Sequence, residues 1–191
     1  LITKAYPQNI ETYGFLKKIG VKNIKFIGNL KFSENFSNKN DKIENKLKKK
    51  LKYKKVWVAS STHYNEEIIC AKAHLKLKKK IKNLLTIIIP RHIDRVPQII
   101  SDLEKLNLKI SRHTSKRKDL DKTDIYLVDT FGETKKFFKL SSSVFLGGSI
   151  IKRGGQNPLE PARYGVKIFH GPNIDNFKDV YKLLKSLKIS K

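Results

Sequence analysis

The stretch from 154 to 162, Gly-Gly-Gln-Asn-Pro-Leu-Glu-Pro-Ala, carries residue types that together can bind an anion. Asn157 is a favourable helix N-cap, Pro158 suits the first helical position, and Glu160 stands where a capping-box acid returns to the cap amide. The paired glycines let a ligand approach the main chain, and a helix start carries about half a positive charge. The pattern predicts a phosphate-binding turn, although similar turns also occur with nothing bound.

Polar residues or glycines also follow the other apolar runs that predict strands. These segments are 60–63 after 56–59, 90–92 after 84–89, 129–133 after 125–128, and 147–149 after 144–146. In an open parallel sheet, ligands bind outside the carboxyl ends of the strands, so we expect the segments to meet at one edge.

Several of these residues suit a nucleotide. Pro90 and Arg91 place a guanidinium beyond a buried strand, which favours contact with an anion. Phe131 could stack on a base, although core packing is the safer prediction, and Gly132 allows close approach of the main chain. Glu133 could bond a sugar or a base amine, or simply favour its own helix.

Further contacts are expected in the same turns. Glu160 is ambiguous between capping its helix and accepting bonds from ribose hydroxyls. Leu159 stands between it and Pro158 in the predicted helix start. Possible supporting residues are Ser61, Thr62, His63, Gly148 and Ser149. Thr62 could equally cap the helix that follows it.

The chain has 191 residues, of which 39% are hydrophobic, and this is enough for a real core. Forty-two basic against 17 acidic residues give a net charge of +25, which raises the alternative of a nucleic-acid-binding module. The excess is mostly Lys and is spread along the chain, whereas phosphate and base recognition usually recruit Arg. We therefore expect no nucleic-acid partner, and only weak attraction to acidic lipid headgroups.

The sequence lacks the residue patterns that would indicate a disulfide, a metal site or several other enzyme classes. Cys70 is the single cysteine, which excludes an internal disulfide and fits a reducing compartment. The five His residues are scattered, so no metal site and no cofactor are expected. There is no Gly-x-Gly-x-x-Gly, P-loop or Gly-x-Ser-x-Gly motif, which argues against a dinucleotide dehydrogenase, an NTPase and a serine hydrolase. No apolar run reaches the length of a transmembrane span.

Strand-like and helix-like runs alternate from residue 56 onward, which predicts an α/β fold with a doubly wound parallel sheet. Helices are predicted at 9–19, 64–80, 96–106, 133–140, 176–187 and from 158, and further strands at 25–27, 108–111 and 167–169. Ile69, Ala73, Leu77 and Ile81 recur every four residues and predict one buried stripe on the second helix. The start at Leu1 has the look of an interior segment, so we expect a fragment of a longer protein.

The motifs together resemble the C-terminal half of the 3-deoxy-D-manno-octulosonic acid (Kdo) transferases. The resemblance rests on Ala-Ser-Ser-Thr-His with the following Glu-Glu, on Pro-Arg-His, on Asp-Thr-Phe-Gly-Glu, and on the glycine-rich segment 147–162. Residues 27–32 resemble the segment between the two domains of that family, and 171–177 match a later block. Because many motifs occur in one order, the resemblance is specific.

The resemblance implies a GT-B fold, in which two Rossmann-like domains face each other across a cleft. It implies 1–30 as the end of an N-terminal domain, 31–55 as a Lys-rich linker, and 56–191 as the C-terminal domain that binds the donor CMP-Kdo. The family's CMP-contacting positions fall on Pro90, Arg91, Phe131, Gly132, Glu133, Asn157, Pro158, Leu159 and Glu160. The acceptor would be the lipid A precursor (lipid IVA), and the enzyme would act at the cytoplasmic face of the inner membrane.

In this family the anomeric carbon inverts without a metal–nucleotide complex, and the catalytic carboxylate lies in the N-terminal domain. No catalytic residue is therefore expected in this chain, and we expect it to be inactive alone. Phe131 and Gln156 stand where the family more often has Met and His, which could alter base stacking or the bonds of the loop. A UDP-sugar transferase or epimerase of the same fold remains the alternative.

Overall fold

The computed structural model describes residues 3–27, 45–116 and 119–191. Contacts divide the chain into one unit at Leu1–Asn40 and a second at Asp41–Lys191. In the first unit, helix α1 (Ile10–Lys18) is capped by Asn9, whose Oδ1 accepts a hydrogen bond from Thr12 N at 2.8 Å. The strand predicted at 25–27 is wrong, since only an isolated bridge joins Ala5 to Ile24. The family-like segment at 28–32 lies outside the described residues.

The second unit contains a six-stranded sheet in which every pair of neighbouring strands is parallel. The strands are β1 (Lys55–Thr62), β2 (Leu84–Pro90), β3 (Ile110–Arg112), β4 (Ile125–Leu127), β5 (Ser143–Leu146) and β6 (Lys167–His170). Their order is β3-β4-β2-β1-β5-β6. The order reverses beside β1, which is the switch point of a doubly wound sheet. The predicted α/β, Rossmann-like fold class is confirmed.

Helices cover both faces of the sheet. They are α2 (Asn45–Leu51), α3 (Glu66–Lys78), α4 (Val96–Glu104), α5 (Thr134–Phe138), α6 (Leu159–Ala162) and α7 (Lys178–Ser186), with short 3-10 turns at Ile93–Arg95 and Asp175–Phe177. Helices α3 and α4 pack on one face, and α2, α5 and α7 pack on the other. β2 lies between the two layers and all seven of its residues are buried, as expected for an interior parallel strand. The predicted helix from 158 is only one turn long.

The basic stretch before β1 is part of the folded unit. The chain was expected to form a linker from 31 to 55, yet α2 begins at Asn45 and places Leu47 and Leu51 in the core cluster of one face. The amphipathic spacing of these two leucines is hidden in the sequence by the lysines around them. The earlier part of the expected linker, 31–44, lies outside the described residues.

The predicted buried stripe of α3 is wrong. Ile69 is 43% exposed and Leu77 is 40% exposed, while the helix buries Glu66, Glu67, Cys70, Ala71 and His74 instead. The exposed stripe borders an apolar groove of about 550 Å³ whose other wall includes Trp57, Phe145 and Phe169. The period of four located the apolar side of the helix but not the side that faces the sheet. Within the described ranges, no helix is long and apolar enough to cross a membrane.

Replacing Leu51 with Ala should reduce the free energy of unfolding by about 2 to 5 kcal/mol, because the side chain is 4% exposed and its loss leaves a cavity. The exposed Lys49 of the same helix is the control, and Lys49→Ala should change it by less than about 0.5 kcal/mol. Urea unfolding followed by circular dichroism measures both. Equal, small effects of the two changes would show that α2 is not part of the core.

Candidate functional site

The carboxyl ends of β1, β2 and β5 meet at one edge of the sheet. Thr62 pairs with Pro90 in the register of β1 and β2, and Arg91 N donates to Thr62 O at 2.9 Å. On the other side of β1, Gly147 approaches so closely that a Cβ there would lie 2.3 Å from the Ser61 carbonyl oxygen. Glycine is therefore required for this approach. Three of the four strand-end turns selected from the sequence thus meet here, with the turn after β1 between the other two.

A buried carboxylate joins two of these turns. Glu66, which is 0% exposed, accepts a hydrogen bond from His63 N at 3.0 Å in the turn after β1. It also accepts bonds from three consecutive amides after β5, those of Gly148 at 2.7 Å, Ser149 at 3.2 Å and Ile150 at 3.0 Å. Four N–H donors thus surround one carboxylate, which offsets the cost of burying its charge. The shape of the β5 turn depends on this residue.

The next residue, Glu67, links the segment after β2 to the end of β1. Its carboxylate is 3% exposed and accepts two bonds from Arg95, at 3.0 and 3.1 Å, and one from Thr62 Oγ1 at 2.9 Å. The side chain of Thr62 is thus committed to Glu67. The sequence places Glu66 and Glu67 in the family-like motif but does not show these contacts. Two consecutive acids at a helix start were the available signal.

The turn after β5 is also fixed from the β6 side. Ser149 is fully buried, donates to the carbonyl of Leu146, and accepts from Gly171 N at 2.9 Å. Asn173 Nδ2 donates to the carbonyls of Ser149 and Ile150, at 3.2 and 3.0 Å. The expected supporting role of Ser149 is therefore structural in this geometry, since its hydroxyl already has two partners.

Gly148 is the centre of a small cluster of donors. Its φ is +65°, and a Cβ on it would meet His63 Cδ2 at 3.3 Å, Arg153 Cβ at 3.4 Å and Gln156 Nε2 at 3.4 Å. His92, from the turn after β2, places its ring 5.7 Å from that of His63 in an edge-on arrangement. Three turns thus contribute nitrogen-bearing side chains to one small region.

The predicted helix start at 157 is present, one residue later than expected. Asn157 Oδ1 accepts a hydrogen bond from Leu159 N at 3.1 Å, and α6 then runs for four residues. Pro158 occupies the N-cap position. One turn of helix carries a much smaller dipole than a long helix, so any anion binding here depends on individual N–H groups. Glu160 lies 3.8 Å from Lys135, which connects this turn with α5.

The turn after β4 presents a ring and an acid. Phe131 is 70% exposed, so core packing, which was the safer prediction, is wrong. Gly132 has φ +79° and open space around it, which permits close approach of a ligand. Glu133 pairs with Lys136 at 2.7 Å and lies 3.9 Å from His113. The exposed ring at the sheet edge is available for stacking.

The pKa of His63, in the turn after β1, is shifted by its surroundings. Burial lowers the pKa of His63, and Arg153 and His92 lower it further, while Glu66 and Glu67 act in the opposite direction.

Across the described ranges, no three His, Cys, Asp or Glu side chains converge as metal ligands. Cys70 is buried, which raises the pKa of its thiol and makes it a poor nucleophile.

Comparison with known proteins gives a consistent set of relatives, although no family model matches the chain. The 3-deoxy-D-manno-octulosonic acid transferase of Haemophilus influenzae is 33% identical over 129 residues, which are 68% of this chain and 30% of that enzyme. The enzyme of the same name from Rickettsia bellii is 33% identical over 165 residues, or 86% of this chain and 39% of its own. The chain thus spans about a third of the length of these curated relatives.

A solved structure agrees with them. The C-terminal CMP-Kdo binding domain of WaaA from Acinetobacter baumannii superposes with a TM-score of 0.66 at 29% sequence identity. The match covers 74% of this chain and 75% of that domain.

Replacing Glu66 with Ala should lower the free energy of unfolding by about 3 kcal/mol or more, because it leaves several buried amides without an acceptor. Glu66→Gln should also destabilise, since the amide group presents its own N–H donors to the same amides. Glu104→Ala, which removes an exposed acid from the end of α4, is the control and should change stability by less than about 0.5 kcal/mol. Denaturant unfolding measures all three, and a Glu66→Ala value near that of the control would contradict the assigned role.

Proposed function

We propose that this chain, which is homologous over most of its length to the C-terminal part of the Kdo transferases, binds the cytidylate portion of a CMP-linked sugar. The observation that carries the proposal is the arrangement at the sheet edge, where the family-like turns after β1, β2 and β5 are in contact. The neighbouring domain from Acinetobacter baumannii is named for CMP-Kdo binding. The nine expected CMP-contacting residues belong to three turns at this edge, those after β2, β4 and β5.

The phosphate is assigned to Arg91 and the turn at Asn157. The Arg91 side chain is exposed, and among the described residues it has no ion-pair partner within 4.0 Å. Its backbone is fixed by the bond from Arg91 N to Thr62 O, so the guanidinium extends from a rigid point. At the start of α6, Pro158 and Pro161 have no N–H and Leu159 N donates to Asn157 Oδ1, so the main-chain donors assigned to the phosphate are those of Asn157 and Glu160. A guanidinium and main-chain amides together are the usual ligands of a phosphate.

The nucleoside is assigned to the turn after β4 and to the first turn of α6. The exposed Phe131 ring supplies a stacking surface, and the open space at Gly132 allows the main chain to approach the base. Glu133 and Glu160 are the carboxylates expected to accept bonds from amines or hydroxyls. Lys136 and Lys135 lie beside them, at 2.7 and 3.8 Å, and hold them in position.

In the whole protein, we infer transfer of Kdo from CMP-Kdo to the lipid A precursor by a GT-B enzyme at the cytoplasmic face of the inner membrane. The names of the relatives support the transferase activity. The net charge of +25 supports attraction to an anionic membrane surface. As the Kdo bond breaks, negative charge grows on the departing phosphate, and Arg91 with the amides near Asn157 stabilises it. A catalytic base must come from another part of the protein.

Titration of CMP into the 191-residue chain should give saturable binding by calorimetry. UMP is the matched control, since it differs only in the base and tests the alternative of a UDP-sugar enzyme. We expect CMP to bind at least tenfold more tightly than UMP, because a carboxylate near the base can accept from the cytosine 4-amine, whereas uracil has a carbonyl oxygen at that position that would repel it. Equal affinities, or preference for UMP, would contradict the proposed donor.

Replacing Arg91 with Ala should weaken CMP binding by about 10- to 100-fold, which corresponds to the 1.5 to 3 kcal/mol of a charge-assisted hydrogen bond. Cytidine, which lacks the phosphate, should bind the variant and the unaltered chain equally. Lys76→Ala, which removes an exposed charge from the far part of α3, is the control for net charge and should leave CMP binding unchanged. An unchanged affinity of the Arg91 variant would remove this residue from the site.

A further inference from the structure

The donor cluster around Gly148 is not used by the assignments above. His63, Arg153 and Gln156 approach this glycine from three directions, with atoms 3.3 to 3.4 Å from the position of an added Cβ. The turn that carries Arg153 and Gln156 is held by hydrogen bonds, because Glu66 binds the amides of Gly148, Ser149 and Ile150, and Gly155 N donates to Gly148 O at 2.9 Å. The same Glu66 accepts from His63 N in the turn after β1. The His63 ring and the Gln156 amide therefore lie beside Gly148, and the Arg153 side chain starts from the same place.

One atom of the cluster lacks a partner. His63 Nε2 is sealed from solvent and makes no hydrogen bond, whereas buried polar atoms in native proteins nearly always have one. The backbone of His63 is satisfied, since its N–H donates to Glu66. The Nε2 atom of the ring thus stays unpaired although the main-chain N–H of the same residue is bonded. A bound acceptor would remove that cost.

The cluster also contains a cation, Arg153, that has no direct ion pair among the described residues. The nearby carboxylates are committed elsewhere, Glu66 to four amides and Glu67 to Arg95 and Thr62. The Arg153 side chain is exposed, and within the described parts of the chain it has no carboxylate within 4.0 Å. His92 adds a second imidazole with its ring centre 5.7 Å from that of His63. The cluster therefore combines the Arg153 cation, which has no direct ion pair in the described ranges, with neutral N–H donors, and this combination suits an anion.

The cluster adjoins the predicted phosphate site. Gln156 precedes Asn157 directly in the chain, and His92 follows Arg91 directly. An anion in the cluster would therefore lie next to the phosphate rather than at the base. In a CMP-linked octulosonic acid, the carbon bonded to the phosphate oxygen also bears the carboxylate of the sugar. The phosphate and the carboxylate, the two negatively charged groups of the donor, are therefore attached to the same carbon.

We propose that His63, Arg153 and Gln156 bind the carboxylate of the sugar acid in the donor. Arg153 supplies the charge, while His63 Nε2 and the Gln156 amide supply directed hydrogen bonds. This inference rests on the proposed function, because it requires the nucleotide to occupy the neighbouring turns. Holding the carboxylate fixes the orientation of the anomeric carbon at the sheet edge. These contacts also distinguish a sugar acid from a neutral sugar carried by the same nucleotide, because a neutral sugar has no carboxylate.

The test compares CMP-Kdo with CMP by calorimetry on the same chain. The unaltered chain should bind CMP-Kdo more tightly than CMP. Arg153→Ala and His63→Ala should each reduce the affinity for CMP-Kdo by about tenfold or more and leave that for CMP within twofold. His63→Gln, which keeps an N–H donor near the position of Nε2, should recover part of the loss. Lys152→Ala removes an exposed cation beside Arg153 and should change neither affinity.

The outcomes separate the two proposals. If the unaltered chain binds no CMP, the proposed function fails. If CMP binds but CMP-Kdo binds no more tightly, or if the variants weaken both ligands equally, the carboxylate subsite is overturned and the nucleotide site stands. Unchanged CMP affinity in the variants shows at the same time that they are folded.

Discussion

The candidate site depends on one interaction, the burial of the Glu66 carboxylate among four backbone amides. A fully buried charge is costly unless hydrogen bonds surround it, and here the turns after β1 and β5 provide those bonds. The two turns must therefore keep the conformation that directs their amides at Glu66. As a consequence the Gly148 main chain is fixed, and His63, Arg153 and Gln156 are gathered around it. Glu66 therefore orders the site although its buried carboxylate does not contact the proposed ligand.

The parallel sheet supplies the framework for that interaction. Because the strand order reverses beside β1, the turns after β1 and β5 are neighbours, and the turn after β2 lies on the other side of β1. Glu66 joins the first two turns, while Glu67 joins the first to Arg95 beyond β2. Two consecutive acids at the start of α3 therefore set the geometry on both sides of the switch point.

The two faces of the sheet are not covered equally by apolar side chains. The core cluster of one face includes aromatic residues such as Phe137, Phe138 and Tyr181, whereas on the other face Phe169 is 42% exposed beside the groove along α3. Helix α3 faces the sheet with Cys70, Ala71 and His74, small or polar side chains that allow close packing. Ile69 and Leu77 lie beside a part of the sheet that no helix within the described ranges covers, so they border the groove instead of the core.

The sequence by itself determined the alternation of strands and helices, the buried run of β2, the turns at the strand ends and the family resemblance, because these depend on local patterns and on residue order. The tertiary structure alone decided which face of α3 is buried, since a period of four does not say where the sheet lies. It also decided that Leu51 belongs to the core and that Phe131 is exposed. Three of the four amides that bind Glu66 belong to residues 82 to 84 positions away along the chain. Contacts at such separations exist only after the sheet has formed, so no local pattern could show them.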